Sequence, residues 1–385
     1  MFKNKLVKNF DFFILFLILL LTGFGMVGIV LATRSPVEGV DGVIAEAVES
    51  FNLRQVKLQA LWLGTGLVIM AFVIAIDYHR ISEYSAYFYW IVVGLLLLVR
   101  QFGVEGGGAQ RWIAIGPFRM QPSEFTKLTL ILMLARVLAR YEEEGINNWK
   151  SMARIFATLL IPLLIIISQP DLGTSMVLIA IFMGMVFVAG IKYRYLFIVM
   201  GIGLAAIPAL WYLVLDDYQK YRILVYLNPG MDPLGEGYHV LQSIMSIGSG
   251  QLTGQVGRGG LLSGNLLSQL DFLPAKDTDF IFSVTAEALG FVGGIIIIIL
   301  YYLLIMRTLR TARRSLDVLG SYICVGVASM ILFHVFENIG MSMGIMPITG
   351  IPLPFMSYGG SSMWTNMASF GLVLNVGLRR QKLKL

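Results

Sequence analysis

The sequence predicts an all-α polytopic membrane protein of about ten transmembrane helices, with both termini cytoplasmic. Three observations predict it. Hydrophobic residues are 57% of the 385 and charged ones only 14%, where a soluble domain carries about 25% charged residues. A chain of that composition needs lipid as part of its solvent. Its apolar residues collect in runs of about 20, the length that crosses a hydrocarbon layer of about 30 Å. Along the chain, the loops between those runs alternate between rich and poor in Lys and Arg. Other classes fall away on the same figures. The net charge of +6 is dispersed, with no basic stripe interleaved with aromatics, so no nucleic-acid partner is expected. The single cysteine, Cys324, excludes an internal disulfide framework and a Cys-rich metal site.

In chain order the runs fall at roughly 11–33, 56–76, 82–100, 121–139, 153–168, 172–191, 195–215, 280–306, 318–342 and 353–378. The first follows Lys3, Lys5 and Lys8, as a signal peptide would. It is too long for such a segment and further spans follow, so it reads as a retained anchor. The fifth run is short, and the tenth carries Pro and Gly. An even count puts both termini on one side, which takes most of the 29 Lys and Arg, among them Arg80, Arg136, Arg140, Arg310 and Arg313. That side is cytoplasmic, and residues 1–385 form one membrane domain. Cytoplasmic connections are short. External ones include 34–55, 101–120 and a long extracellular loop at about 216–279, before the eighth span. Amphipathic Tyr238 to Ile247 within it implies order near the interface. No internal repeat is visible, nor the inverted symmetry of many secondary transporters.

Ionisable groups in spans are costly and need a reason. Glu124 and Lys127 open the fourth span three residues apart, on one helix face, where they pair either as a structural bridge or as part of a site. Arg111 and Trp112 lie just before it; an interfacial Trp is commonly an anchor. Asp171, between the fifth and sixth spans, is placed to cap the following helix. His334, Glu337 and Asn338 in the ninth span suit interhelical hydrogen bonds better than a metal. Asp277, Thr278 and Asp279 precede the eighth span. One of them should be its N-cap, and a carboxylate at such a mouth also suits a general base. Glu287, roughly 12 Å deeper, reads as structural or pocket-lining. Gly248 to Gly260 lacks the G-K-[ST] ending of a phosphate loop and reads as a flexible loop.

Together the motifs match a family nearly end to end. They are G-A-Q-R-W, Q-P-S-E-F-T-K, Q-P-D-L-G-T-S, Y-Q-K-Y-R, N-P-G-M-D-P-L-G-E-G-Y-H-V-L-Q-S, I-G-S-G, F-L-P-A-K-D-T-D-F-I-F, N-I-G-M and G-I-P-L-P-F-M-S-Y-G-G-S-S. The chain resembles the SEDS proteins (shape, elongation, division and sporulation), the polytopic peptidoglycan glycosyltransferases that include RodA and FtsW. D-P-L-G-E-G-Y-H-V-L-Q-S resembles the elongation member, RodA, more than the division member. The chain departs from the pattern at Ala275, at Asp277 where His is frequent, and at Ala288. A further departure is the stretch G-Q-V-G-R-G-G-L-L-S-G-N.

The resemblance implies glycan polymerisation from lipid II at the outer face of a bacterial cytoplasmic (inner) membrane. Asp279 would be the base that deprotonates the acceptor sugar hydroxyl. Arg111, Arg119, Lys127 and Arg222 would face the undecaprenyl pyrophosphate leaving group, with a divalent cation as a further aid. Glu124 would hold Lys127, and Asp171 would order the same pocket, with Trp112 beside it. Displacement would be single and inverting. No S-x-x-K of a transpeptidase is present, so a class B penicillin-binding protein is the implied partner, with other elongation or division proteins. The alternatives are a lipid II flippase, which would need charges at mid-membrane and on both faces, and a scaffold. The polymerase predicts that Asp279, Lys127 and Arg119 line one outward cavity.

Overall fold

The computed structural model describes residues 10–33, 53–106, 109–116, 118–144, 148–192, 235–259, 273 and 275–379, and scattered residues between 194 and 232. Its long helices are α1 (Phe12–Thr33), α2 (Leu53–Ala75), α4 (Ser85–Phe102), α5 (Pro122–Glu144), α6 (Trp149–Ile167), α7 (Leu172–Val188), α8 (Glu236–Gly250), α10 (Ile281–Arg313), α11 (Val318–Ser342) and α12 (Gly360–Arg379). Two short ones, α3 (Tyr78–Glu83) and α9 (Gly254–Gly259), lie between them. Among the described residues, six helices are long and apolar enough to cross a membrane: α1, α2, α4, α6, α10 and α11. The seventh expected span, 195–215, lies mostly outside the described residues.

The bundle packs around a main apolar core that includes Leu17 and Leu21 of α1, Leu134 of α5, Ile181 of α7, Ile323 and Ile331 of α11, and Met367 and Leu374 of α12, with smaller clusters around Val284 and Phe280. Small residues let the helices approach where lipid supplies no hydrophobic drive between them. A Cβ on Gly25 of α1 would collide with the Met356 backbone. Polar ends are tied at the side expected to be cytoplasmic. Arg307 Nε lies 2.7 Å from Asp11 Oδ2, and Arg379 Nε 3.1 Å from Asp77 Oδ2.

Four expectations change. Residues 101–120 are not simply a loop: β1 (Val104–Gly106), β2 (Ala109–Ile115) and β3 (Phe118–Met120) form an antiparallel meander in the order β1-β2-β3. Ala109–Ile115 reads A-Q-R-W-I-A-I, without the polar–apolar alternation that marks a half-buried strand, so the sequence carries no period-two signal for β2. The third span breaks at Tyr84 into α3 and α4, with Asp77 capping α3 through the His79 N–H. The tenth expected span becomes helical only at Gly360; 347–353 has no regular structure, and Pro352 and Pro354 each lack the N–H that a helix interior would use.

Fourth, residues 248–259 are packed rather than a flexible loop. They close α8, turn and form α9 against α10. At Gly290, with φ 70° and ψ −168°, α10 leaves helical geometry. The N–H groups freed there donate to α8–α9 carbonyls, Phe291 to Gln251 at 2.7 Å and Val292 to Leu252 at 3.2 Å. Only glycine fits, since a Cβ at 290 would collide with the Gly254 nitrogen. The break divides α10 into a buried part, 281–289, beneath Asp279, and a longer part reaching toward Arg313.

Candidate functional site

Three clusters of polar side chains lie near the expected outer ends of the helices. In the first, Asp171 caps α7: its Oδ1 accepts from the Thr174 N–H at 3.1 Å and its Oδ2 from the Thr174 hydroxyl at 3.0 Å. Ser123, at the start of α5, donates to the same Oδ2 at 3.4 Å. Arg111 on β2 donates from Nε to the Gln169 carbonyl at 3.3 Å and from Nη2 to the Pro170 carbonyl, and its Nη1 lies 3.9 Å from Asp171 Oδ1. The meander thereby braces the α6–α7 turn. Trp112 beside it is half-buried, and Arg119 on β3 is exposed.

The second cluster is buried. Lys127 Nζ lies 2.7 Å from Glu124 Oε1 and 3.0 Å from His334 Nε2 on α11. The other ring nitrogen of His334, Nδ1, sits 2.8 Å from the Met330 carbonyl. That carbonyl can only accept, which assigns the proton to Nδ1 and leaves Nε2 as the acceptor for Lys127. An ammonium with two partners of this kind tolerates burial at 2% exposure. One turn along α11, Glu337 Oε1 accepts from the Thr349 hydroxyl at 3.0 Å.

The third cluster holds Asp277, Thr278 and Asp279 together with the residues that fix them. The expected side-chain N-cap is absent. Phe280 is the N-cap of α10, with φ −105° and ψ 24° and no side-chain cap bond. The three preceding carbonyls instead accept from remote donors. The Tyr358 N–H reaches the Asp277 carbonyl at 2.9 Å, the Ser357 hydroxyl the Thr278 carbonyl at 2.6 Å, and the Asn338 amide the Asp279 carbonyl at 2.8 Å. Gln59 of α2 holds the donor segment, giving from Nε2 to the Ser357 carbonyl at 3.1 Å and accepting at Oε1 from the Gly359 N–H at 3.3 Å. Asp279 is half-buried, and its Oδ2 lies over Gly350. Burial raises the pKa of the Asp277 carboxyl, against a hydrogen bond from Gln55 and the charge of Lys276.

Arg222 lies outside the described residues. Ion pairs link Arg111 with Asp171 and Lys127 with Glu124, while Asp279 belongs to the 338–358 cluster. Glu287 is fully buried and accepts from Ser249 of α8 at 3.4 Å. Gln59, Thr349 and Ser357 carry no sequence signal of their own, because each acts through a partner more than ten residues away. Among the described residues, no group of three or more His, Cys, Asp or Glu is placed to hold a metal ion. A divalent cation at the pyrophosphate would find no ready-made ligand set among them.

A family model of FtsW, RodA and SpoVE, described as cell cycle proteins, matches residues 12–382. The peptidoglycan glycosyltransferase MrdB of Escherichia coli is 40% identical over 321 residues, covering 83% of this chain and 85% of its own. Among solved structures, a chain of a peptidoglycan synthase complex that coordinates polymerization and crosslinking superposes with a TM-score of 0.76. It is 30% identical, over 96% of this chain and 97% of that one. RodA of Thermus thermophilus superposes with a TM-score of 0.68 at 27% identity, over 97% and 98% of the two chains.

Proposed function

Because the chain belongs to the family of FtsW, RodA and SpoVE, we propose that it is a peptidoglycan glycosyltransferase that polymerises lipid II into glycan strands at the outer face of the cytoplasmic membrane. Ten spans with both termini inside, a class B penicillin-binding protein as partner and an elongation role of the RodA kind belong to the same reading. The departures at Ala275 and Asp277 lie in the turn that carries Asp279, whereas Ala288 lies about two turns into α10.

The observation that carries the reading is the fixation of that turn. Three consecutive carbonyls are tied to donors from α11 and the 357–358 segment, with the Asp279 carboxylate left at a half-buried boundary. A base held in this way reaches its hydroxyl without first being ordered. The acceptor sugar oxygen forms its bond to the anomeric carbon as its proton passes to Asp279. The bond from that carbon to the pyrophosphate oxygen breaks with its electron pair, and the configuration inverts. Charge developing on the leaving pyrophosphate calls for cations. Arg119 is exposed for direct contact, whereas Lys127 acts from beneath, through the field of its buried cluster. Arg111 serves by shaping the α6–α7 turn.

The test is to supply lipid II to the purified protein, alone and with its transpeptidase, and to follow glycan length on a gel. Asp279→Ala should abolish polymer. Polymer of parental length and amount from that variant would remove Asp279 from the chemistry. Lipid II crossing vesicles with no polymer under any condition would support transport instead.

A further inference from the structure

Asn338 and Gly350 stand out among the groups around Asp279, because they reach the carboxylate-bearing residue from two sides. Asn338 is wholly buried on α11. Its amide nitrogen has two hydrogens and uses both: one donates to the Asp279 carbonyl at 2.8 Å, the other to the Ile351 carbonyl at 2.9 Å. One side chain therefore joins the residue before α10 to the turn that follows Thr349. Gly350 lies inside that turn with φ 72°, a left-handed conformation that side chains rarely adopt. A Cβ built there would come within 3.3 Å of Asp279 Oδ2, tighter than ordinary contact.

The turn is itself held at both flanks. Thr349 donates to Glu337, and Ile351 accepts from Asn338, so two adjacent residues of α11 grip residues on either side of Gly350. We propose that Asn338 and Gly350 are positioning residues for Asp279: the amide fixes its backbone, and the missing side chain at 350 leaves room for its carboxylate. This rests on the reading of Asp279 as the base. The α11 amide determines where the carboxylate starts, and the glycine determines how far it can lie back toward the turn. Neither residue touches substrate. A base displaced by about 1 Å loses on the order of 10²-fold in rate, so small changes here should register in turnover.

The experiment uses the purified full chain in liposomes with lipid II, comparing Gly350→Ala, Asn338→Asp and Asp279→Ala with the parent. Asn338→Asp keeps the shape but puts oxygen where an N–H faced two carbonyls. Gly350→Ala leaves every donor in place and adds a Cβ together with the backbone strain of a side chain at φ 72°, so it reports even if the Asn338 variant does not fold. Asn338→Asp should lower kcat on the order of 10²-fold and Gly350→Ala by roughly several-fold, since its Cβ asks Asp279 to give by only a few tenths of an ångström. Both should leave KM for lipid II unchanged and move the acid limb of the kcat–pH profile. If Asp279→Ala is inactive while folded Gly350→Ala and Asn338→Asp match the parent kcat and pH profile, positioning is overturned and the base stands. A loss of thermal stability alone in those two variants, with kcat unchanged, overturns positioning as well. Activity in Asp279→Ala would overturn the base reading and this inference with it.

Discussion

At the scale of single residues, burial decides which charges can be altered without unfolding the protein. Lys127 is 2% exposed and Glu124 4%. Among the described residues, Glu124 Oε2 has no hydrogen-bond partner, so the 2.7 Å contact of Oε1 with Lys127 is what compensates its charge. Lys127→Met keeps the length of the side chain but strands that carboxylate, a change that costs about 3–5 kcal/mol in a buried pair. Thermal unfolding in detergent should show a large loss for Lys127→Met and partial recovery in Glu124→Gln/Lys127→Met; equal stability of both single and double variants would mean the pair is solvated. Lys127 also shows what the sequence reveals. Its partner Glu124 is three positions away, as is Thr174 from Asp171, and both pairings are visible from helical spacing. Asp277, Thr278 and Asp279 suggest a cap on the same logic, and here local reasoning fails. Their carbonyls are satisfied by Asn338, Ser357 and Tyr358, about 60 to 80 positions downstream, which only the folded chain brings close.

At the scale of elements, the same division recurs. Runs of apolar residues locate the helices because lipid demands length and hydrophobicity from each one separately. The α10 break at Gly290 is hidden because its cause is the Gln251 and Leu252 carbonyls, contributed by another element. A second inter-element device lies where the start of α3, the start of α11 and the end of α12 meet. His79 Nδ1 sits 2.8 Å from Asp77 Oδ1 and its Nε2 2.5 Å from Asp317 Oδ2; Tyr78 donates to Asp317 at 2.9 Å, and Arg379 pairs with Asp77. Burial lowers the His79 pKa, but its hydrogen bonds and the charges of Asp77 and Asp317 outweigh this and leave it above 6.5. For Asp77, burial raises the pKa, and His79 and Arg379 leave it below 3.8. The signs then differ. The histidine's contribution is fully present below 6.5 and disappears as pH rises through its raised folded value. That of Asp77 is present above 3.8 and disappears as pH falls through its lowered folded value. Melting temperatures of the parent and His79→Gln should therefore differ at about pH 6 and converge toward about pH 9. A difference that does not change with pH would show that the imidazole contributes by packing alone.

At the scale of the whole molecule, the question is which face of the membrane meets Asp279, and α10 should connect it to the opposite face. Beyond the break at Gly290, its residues 291–313 extend about 35 Å, enough for a hydrocarbon layer of about 30 Å. Their far end carries Arg307, Arg310 and Arg313, which basic-side asymmetry assigns to the cytoplasm. Asp279 immediately before the helix and Leu316 just after it must then lie on opposite sides. Gln110 on β2 should share the side of Asp279, because its strand neighbour Arg111 grips the turn before α7. Cys324 is the chain's single cysteine and is buried, so a Cys324→Ala background permits single reporters at exposed positions. Gln110→Cys should react with a membrane-impermeant maleimide on intact cells, and Leu316→Cys only after permeabilisation. The reverse pattern would turn Asp279 toward the cytoplasm, where a polymerising base would meet lipid II before export and the product strand would be stranded inside. Labelling of both from outside would mean that α10 does not cross, and the ten-span arrangement would fail with it.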